Sequence, residues 1–226
     1  MLQSLLRGEI VDFLLNLLYT LPAVFIALTV HECAHGFIAY KLGDPTAKMT
    51  GRLSINPIDH IDPLGFICLL FFGFGWAKPV MVNYSNLKKP LRDAALVSVA
   101  GPISNFLCAF VFTLLYYLCV CLLPVAGWSI GLVEVLAYVM VINIGLGLFN
   151  LLPCPPLDGS KILYAFLPHK GRLFFDRNQH YLNMALIFVI LLGSWTSVDV
   201  FGFLDVISSW IIGLFLNVAQ KVLFFI

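Results

Sequence analysis

The feature that most constrains the fold of this chain is a series of long apolar segments. A membrane-spanning helix needs about 20 apolar residues, and the candidates are residues 11–41, 93–123, 129–152, 181–198 and 203–224. Hydrophobic residues make up 61% of the chain and charged residues only 11%, which excludes a soluble domain with a polar surface. The sequence therefore predicts an all-α polytopic membrane protein, built as a single domain over residues 1–226.

A shorter apolar segment, residues 64–76, is interrupted by glycines and has too few residues to span comfortably. We expect it to be re-entrant, with its backbone covered by protein or water. Residues 51–63 alternate apolar side chains with Pro, Asn and Asp, which predicts a short strand and turns. Residues 77–90 predict a second extended segment. The predicted architecture is thus about five to six transmembrane helices with short membrane-associated strands or a re-entrant segment.

Basic residues orient this arrangement in the membrane. If residues 64–76 do not cross, all 13 Lys and Arg residues except Arg7 fall on one side. The opposite loops, around residues 124–128 and 199–205, contain neither Lys nor Arg. By the positive-inside rule the basic side is cytoplasmic, so we expect a multi-pass protein of the cell membrane. The net charge of +1 provides no basic stripe for nucleic acid.

The sequence His31-Glu32-Cys33-Ala34-His35 lies within the first apolar segment. Residues i and i+4 share one face of a helix, so both imidazoles can reach one ion while the glutamate addresses a water on it. This HExxH pattern is typical of zinc proteases. Ionisable groups inside a membrane helix are costly and usually functional. With Lys41 at the cytoplasmic interface, His35 and His31 lie about 9 and about 15 Å inward.

A catalytic zinc commonly has three protein ligands, so two histidines leave the site incomplete. Asp158 is the best candidate for the third ligand, because it follows a proline-rich segment at a depth where irregular backbone must line a cavity. The alternative is that Asp158 caps the helix that begins near Gly159. Cys154 is a second candidate ligand, and His60 is more typical of a turn or an interface than of a metal site.

Two motifs in this order resemble the site-2 protease family of intramembrane metalloproteases. They are HECAH and the pattern Asn150-x-x-Pro153-x-Pro155-x-x-Asp158-Gly159, supported by residues 73–83 and by Ala100-Gly101-Pro102-x-x-Asn105. The resemblance is to the short prokaryotic branch without a PDZ or a CBS domain. It implies one catalytic Zn²⁺ held by His31, His35 and Asp158, and a supporting role for Asn150 toward the substrate backbone or the reacting carbonyl.

The predicted reaction is hydrolysis of peptide bonds within or near transmembrane segments, with Glu32 as the catalytic base. The expected partners are membrane-anchored protein substrates and the lipid bilayer, and a homo-oligomer is left open. The alternative is a transporter or metal-permeation protein that uses the same buried His and Asp residues as an ion pathway. Transporters often contain inverted repeats, and no internal repeat is visible in this sequence.

Overall fold

Helices account for nearly all the regular structure of the chain. The computed structural model describes residues 10–72, 75–196 and 200–223. Its helices are α1 (Ile10–Lys41), α2 (Thr46–Met49), α3 (Pro63–Phe72), α4 (Pro90–Leu122), α5 (Gly127–Asn150), α6 (Asp158–Phe166), α7 (His169–Thr196) and α8 (Gly202–Val222). Two 3₁₀ turns lie at Pro57–His60 and Tyr84–Asn86.

Four of the described helices, α1, α4, α5 and α8, are long and apolar enough to cross a membrane. This confirms the predicted all-α polytopic class, and the four spans found among the described residues are slightly fewer than the five to six expected. The difference lies in the predicted span 181–198, of which residues 181–196 form the end of α7. Residues 197–199 lie outside the described ranges.

The helices α1, α4 and α5 pack against one another and form the centre of the molecule. Ala109, Met140 and Ile144 are buried between α4 and α5, and Phe106 and Phe215 pack against them. The short helix α6 contacts α4. The start of α6 is therefore brought to the middle of the bundle, beside the histidine-bearing part of α1.

The predicted membrane-associated strands are wrong for the described residues. Residues 57–60 form a 3₁₀ turn, which begins after Asn56, and the Asn56 side chain accepts a hydrogen bond from the Ile58 N–H at 3.3 Å. Such local bonds from Asn offer the backbone an alternative to strand pairing. A single antiparallel bridge, between Ile61 and Ala77, takes the place of the expected strands.

That bridge brings together the two ends of the segment expected to be re-entrant. The Lys78 N–H also donates to the His60 carbonyl at 2.8 Å. A Cβ on Gly65 would clash with the backbone of Trp76, so the absence of a side chain permits this close approach. The chain thus leaves through α3 and returns beside its starting point. Gly73 and Phe74, between α3 and the bridge in sequence, lie outside the described residues.

Candidate metal centre

Three buried side chains from α1 and α6 converge at the centre of the molecule. The Nε2 atoms of His31 and His35 lie 3.1 and 3.0 Å from Oδ2 of Asp158. One ligand atom from each of the three residues lies within 4.8 Å of the others. The histidines meet because positions i and i+4 lie on one helix face. The structure thus brings together the three residues that the sequence predicts as zinc ligands.

Asp158 is not the capping residue of α6, contrary to the alternative hypothesis for this residue. It is the first residue of α6, the cap position is Leu157, and no side chain caps this helix. The Asp158 carboxylate is directed toward the two histidines instead. Cys154 lies outside this cluster, with its Sγ 3.6 Å from the Pro155 carbonyl. His60 is fully buried elsewhere, with Nε2 against the Ser54 carbonyl at 2.7 Å.

The Nδ1 atoms of both histidines face acceptors on α4. His35 Nδ1 lies 2.7 Å from the Val97 carbonyl, so this nitrogen carries the proton. His31 Nδ1 lies 2.6 Å from Asn105 Oδ1. The Asn105 amide nitrogen donates to the Ala27 carbonyl at 3.0 Å and to Asn143 Oδ1 at 2.9 Å, which fixes Oδ1 as the acceptor. In their neutral forms both imidazoles therefore present an unprotonated Nε2.

Two imidazole lone pairs facing one carboxylate oxygen repel each other unless a proton or a cation lies between them. The ligand atoms of a tetrahedral zinc, with bonds of about 2.0 to 2.1 Å, are separated by about 3.3 to 3.4 Å. The two His–Asp separations of 3.1 and 3.0 Å are close to that spacing. Ligating histidines also usually donate their second N–H to a carbonyl or a carboxylate. The cluster thus fits zinc by donor type, spacing and supporting contacts.

Gly101 of α4 lies directly against both imidazoles. A Cβ built on Gly101 would lie 2.6 Å from His31 Cε1 and 2.6 Å from His35 Nε2. Real Cβ atoms essentially never come so close to other heavy atoms, so any side chain at this position must displace the histidines. The sequence motif contains this glycine, but its contact with the histidines depends on how α1 and α4 pack.

Glu32 lies beside the cluster and is 8% exposed. Its Oε2 accepts a hydrogen bond from the Val80 N–H at 2.8 Å. Residues 78–83, which include Val80, form no helix or turn. This irregular segment therefore orients Glu32, and no sequence pattern predicts that contact.

A cavity of about 750 Å³ opens onto the cluster. Its wall contains His31, Glu32, His35, Asn150, Asp158 and Lys161, among mostly apolar residues. Asn150 thus lies in the same cavity as the predicted ligands. Its Nδ2 donates to the Leu146 carbonyl of its own helix at 3.0 Å, so one amide N–H is already engaged.

Asp44, just beyond α1, fixes the position of residues 83–86. This fully buried carboxylate accepts hydrogen bonds from the Asn83 N–H and from Asn86 Nδ2, both at 2.7 Å, and from Thr46. Burial alone would raise the pKa of Asp44, but these hydrogen bonds outweigh it and hold the pKa below its usual value. Ionised Asp44 therefore ties residues 83–86 to the end of α1.

Comparison with known proteins places the chain among membrane-embedded proteases. The model of peptidase family M50 matches residues 120–193, which include Asn150 and Asp158 but not His31. The chain is 41% identical over 181 residues, 78% of its length and 83% of the relative's, to "Putative zinc metalloprotease YwhC" of Bacillus subtilis. No solved structure matches the chain.

Two further relatives cover most of the chain at lower identity. Rip2 of Mycolicibacterium smegmatis, named in the same way, is 28% identical over 83% of this chain and 74% of its own length. Stage IV sporulation protein FB of Bacillus subtilis is 27% identical over 86% of this chain and 65% of its own length.

The four apolar helices and a buried cluster fit for zinc define a polytopic membrane metalloprotein. The chain belongs to peptidase family M50, the site-2 protease family. It is a zinc metalloprotease embedded in the membrane, as the resemblance of its two motifs implied.

Proposed function

We propose that this protein hydrolyses peptide bonds within or beside the transmembrane segments of membrane-anchored proteins. In this proposal His31, His35 and Asp158 hold one zinc ion, and Glu32 is the catalytic base. Such cleavage would release or inactivate its substrates, as in regulated intramembrane proteolysis. The ligand and base assignments belong to the proposal, and they rest on the site geometry.

The ligand assignment is supported by the directions in which the histidine nitrogens point. In each ring Nδ1 faces a fixed acceptor on α4, and Nε2 faces Asp158 Oδ2, at 3.1 Å for His31 and 3.0 Å for His35. In the neutral imidazoles both Nε2 lone pairs therefore point at this oxygen. A divalent cation removes the repulsion among these three acceptors.

The chemistry divides between the metal and the residues around it. Zinc supplies Lewis-acid activation of the attacking water and of the scissile carbonyl. Glu32 accepts the proton of the water at its carboxylate and later transfers it to the leaving amine. The Val80 N–H holds one oxygen of Glu32 and leaves the other available for this transfer. Asn150 lines the same cavity and is placed to contact the substrate backbone.

The substrate must present an extended peptide, because a helix hides its carbonyls in backbone hydrogen bonds. Residues 78–83 lie beside Glu32 and are not helical, so a substrate strand can pair with them by main-chain hydrogen bonds. Residues 51–58, the other segment expected to be extended, lead into a 3₁₀ turn that is less suited to this pairing.

The decisive test replaces Glu32 with glutamine in purified protein. Glu32→Gln should retain zinc and fold, because Gln keeps an acceptor for the Val80 N–H, and should lose cleavage of single-pass membrane substrates by about 10²-fold or more. Glu134→Gln makes the same chemical change at an exposed position of α5 and should cleave normally. Zinc loss with unchanged turnover per bound zinc would reject the assignment.

We also propose that the site opens toward the cytoplasm of a cell-membrane protein, because the basic residues lie on that side. Single cysteines at positions 50, 88 and 172 of a cysteine-free protein should then react with an impermeant reagent from the cytoplasm, and one at 126 from outside. Labelling of positions 50 and 88 from opposite sides would mean that residues 64–76 cross the membrane.

A further inference from the structure

The two oxygens of the Asp158 carboxylate have different neighbours. Oδ2 faces the Nε2 atoms of His31 and His35, whereas Oδ1 lies 3.3 Å from Nζ of Lys161. Asp158 makes no capping bond to its own helix, so these contacts orient the carboxylate. Lys161 thus contacts the side of Asp158 that points away from the histidines.

The helix itself brings Lys161 to this position. Residues i and i+3 are neighbours on a helix surface, and Asp158 and Lys161 have this spacing on α6. Asp158, Gly159 and Ser160 are buried, whereas the Lys161 side chain is 45% exposed and lines the cavity. Of the residues described as lining this cavity, Lys161 is the only lysine or arginine. The Asp158 side chain is only 8% exposed, so water screens this partly buried pair less than it screens a fully exposed one.

We propose that Lys161 is a positioning residue for the metal centre. It holds Asp158 Oδ1, and so presents Oδ2 to the zinc that the proposed function assigns to this cluster. Asn105 and the Val97 carbonyl hold His31 and His35 in the same way. Each of the three ligands is then fixed by one partner at the atom that does not face the metal.

The competing explanation is a helix-surface ion pair without a role. Exposed pairs of this spacing contribute little to stability and would not affect the metal. An outer-shell partner of a ligand, by contrast, typically changes metal affinity by about 10- to 100-fold when it is removed. Zinc affinity therefore separates the two explanations without any assay of proteolysis.

The experiment measures zinc affinity by competition with a chelator, in detergent-purified Lys161→Met, Lys161→Arg and Lys170→Met. We expect Lys161→Met to bind zinc about 10- to 100-fold more weakly, and Lys161→Arg to stay near wild type because it keeps the cation. Lys170→Met removes an exposed charge at the start of α7 and should have no effect. At saturating zinc, Lys161→Met should regain most of its cleavage activity.

Wild-type zinc affinity in Lys161→Met would overturn the inference. If that variant does not fold, Lys161→Gln replaces it, since Gln retains a hydrogen-bond donor without the charge, and it should bind zinc more weakly than Lys161→Arg does. Asp158→Asn distinguishes a failure of the proposed role of Lys161 from a failure of the proposed zinc ligand. If Asp158→Asn loses zinc and Lys161→Met does not, only the role of Lys161 fails, whereas normal zinc in both variants would remove the proposed ligand itself.

Discussion

The two sides of the catalytic cavity hold their functional side chains by different means. On one side, α4 holds both histidines, because Asn105 Oδ1 contacts His31 and the Val97 carbonyl contacts His35. Asn143 of α5 in turn accepts a hydrogen bond from the Asn105 amide. On the other side, Glu32 is held by one backbone N–H of an irregular segment. That segment is tied down at its ends, by the Ile61–Ala77 bridge and by the Asp44 bond to residue 83.

This contrast indicates a division of tasks. Atoms of long packed helices cannot shift independently, so the predicted ligands are preorganised before zinc binds. The base side depends on a few backbone hydrogen bonds, and it can adjust when an extended substrate pairs with residues 78–83. We therefore expect substitutions on the helix side to affect zinc, and substitutions on the other side to affect substrate use.

The largest effect should follow from Asp158→Asn, which removes the anionic member of the predicted ligand set. Zinc content and cleavage should both collapse, while folding persists because Asp158 makes no capping bond. Metal analysis, thermal unfolding and cleavage should be measured on one preparation. A stable variant with normal zinc and near-normal cleavage would show that the metal has another ligand.

Gly101→Ala should have the next largest effect, because its Cβ would lie 2.6 Å from atoms of both histidines. We expect loss of most bound zinc and of cleavage. Gly131→Ala is the matched control, since a Cβ on Gly131 meets nothing within 4 Å. In the helix interior that control should be neutral or stabilising by up to about 1 kcal/mol. Equal zinc content in the two variants would contradict the close packing of α4 on the histidines.

Asn105→Leu should weaken zinc binding by about 10- to 100-fold, because His31 loses the acceptor that fixes its tautomer. Asn143→Leu is a paired comparison, since Asn143 contacts the Asn105 amide but neither histidine. Its effect on zinc affinity, measured against the same chelator, should be smaller. If both variants lost equal affinity, the preorganisation would belong to the whole polar network and not to the His31–Asn105 bond.

Asp44→Asn should have the smallest effect and should act on the substrate side. We expect a KM raised several-fold with unchanged zinc content, because residues 83–86 lose part of their anchor. The depressed pKa of Asp44 means that the ionised carboxylate stabilises the fold above its ordinary pKa of 3.8, and that this contribution falls as the pH drops further. The difference in unfolding temperature between wild type and variant should therefore shrink below about pH 4.

The sequence predicts the site better than it predicts the surrounding structure. Helical spacing places His31 and His35 together, and an incomplete ligand set points to Asp158. The contacts of Asn105, Gly101 and Val80 depend instead on how elements distant in sequence pack. Asn105 and Gly101 are unusual within an apolar helix, so the sequence indicates that each has a role. It does not identify the residues that they contact.

The error in the predicted strand has a local physical cause. Alternating apolar residues in 51–58 favour a strand, yet Asn56 and Pro57 start a 3₁₀ turn there, and these residues outweigh the alternation on which the prediction rested. The fifth predicted span differs in another way. Only residues 181–196 of it lie in α7 within the described ranges, which is fewer than the about 20 residues that a spanning helix needs.

The packing of Gly101 has a consequence for how related genes are interpreted. Every missense change of a glycine codon adds at least a Cβ, so no substitution at this position spares the two imidazoles. A gene product could keep all of HECAH and Asp158 and still be unable to assemble the centre. The residue at position 101 therefore helps to recognise inactive relatives. The ligand residues alone would suggest that such relatives are active enzymes.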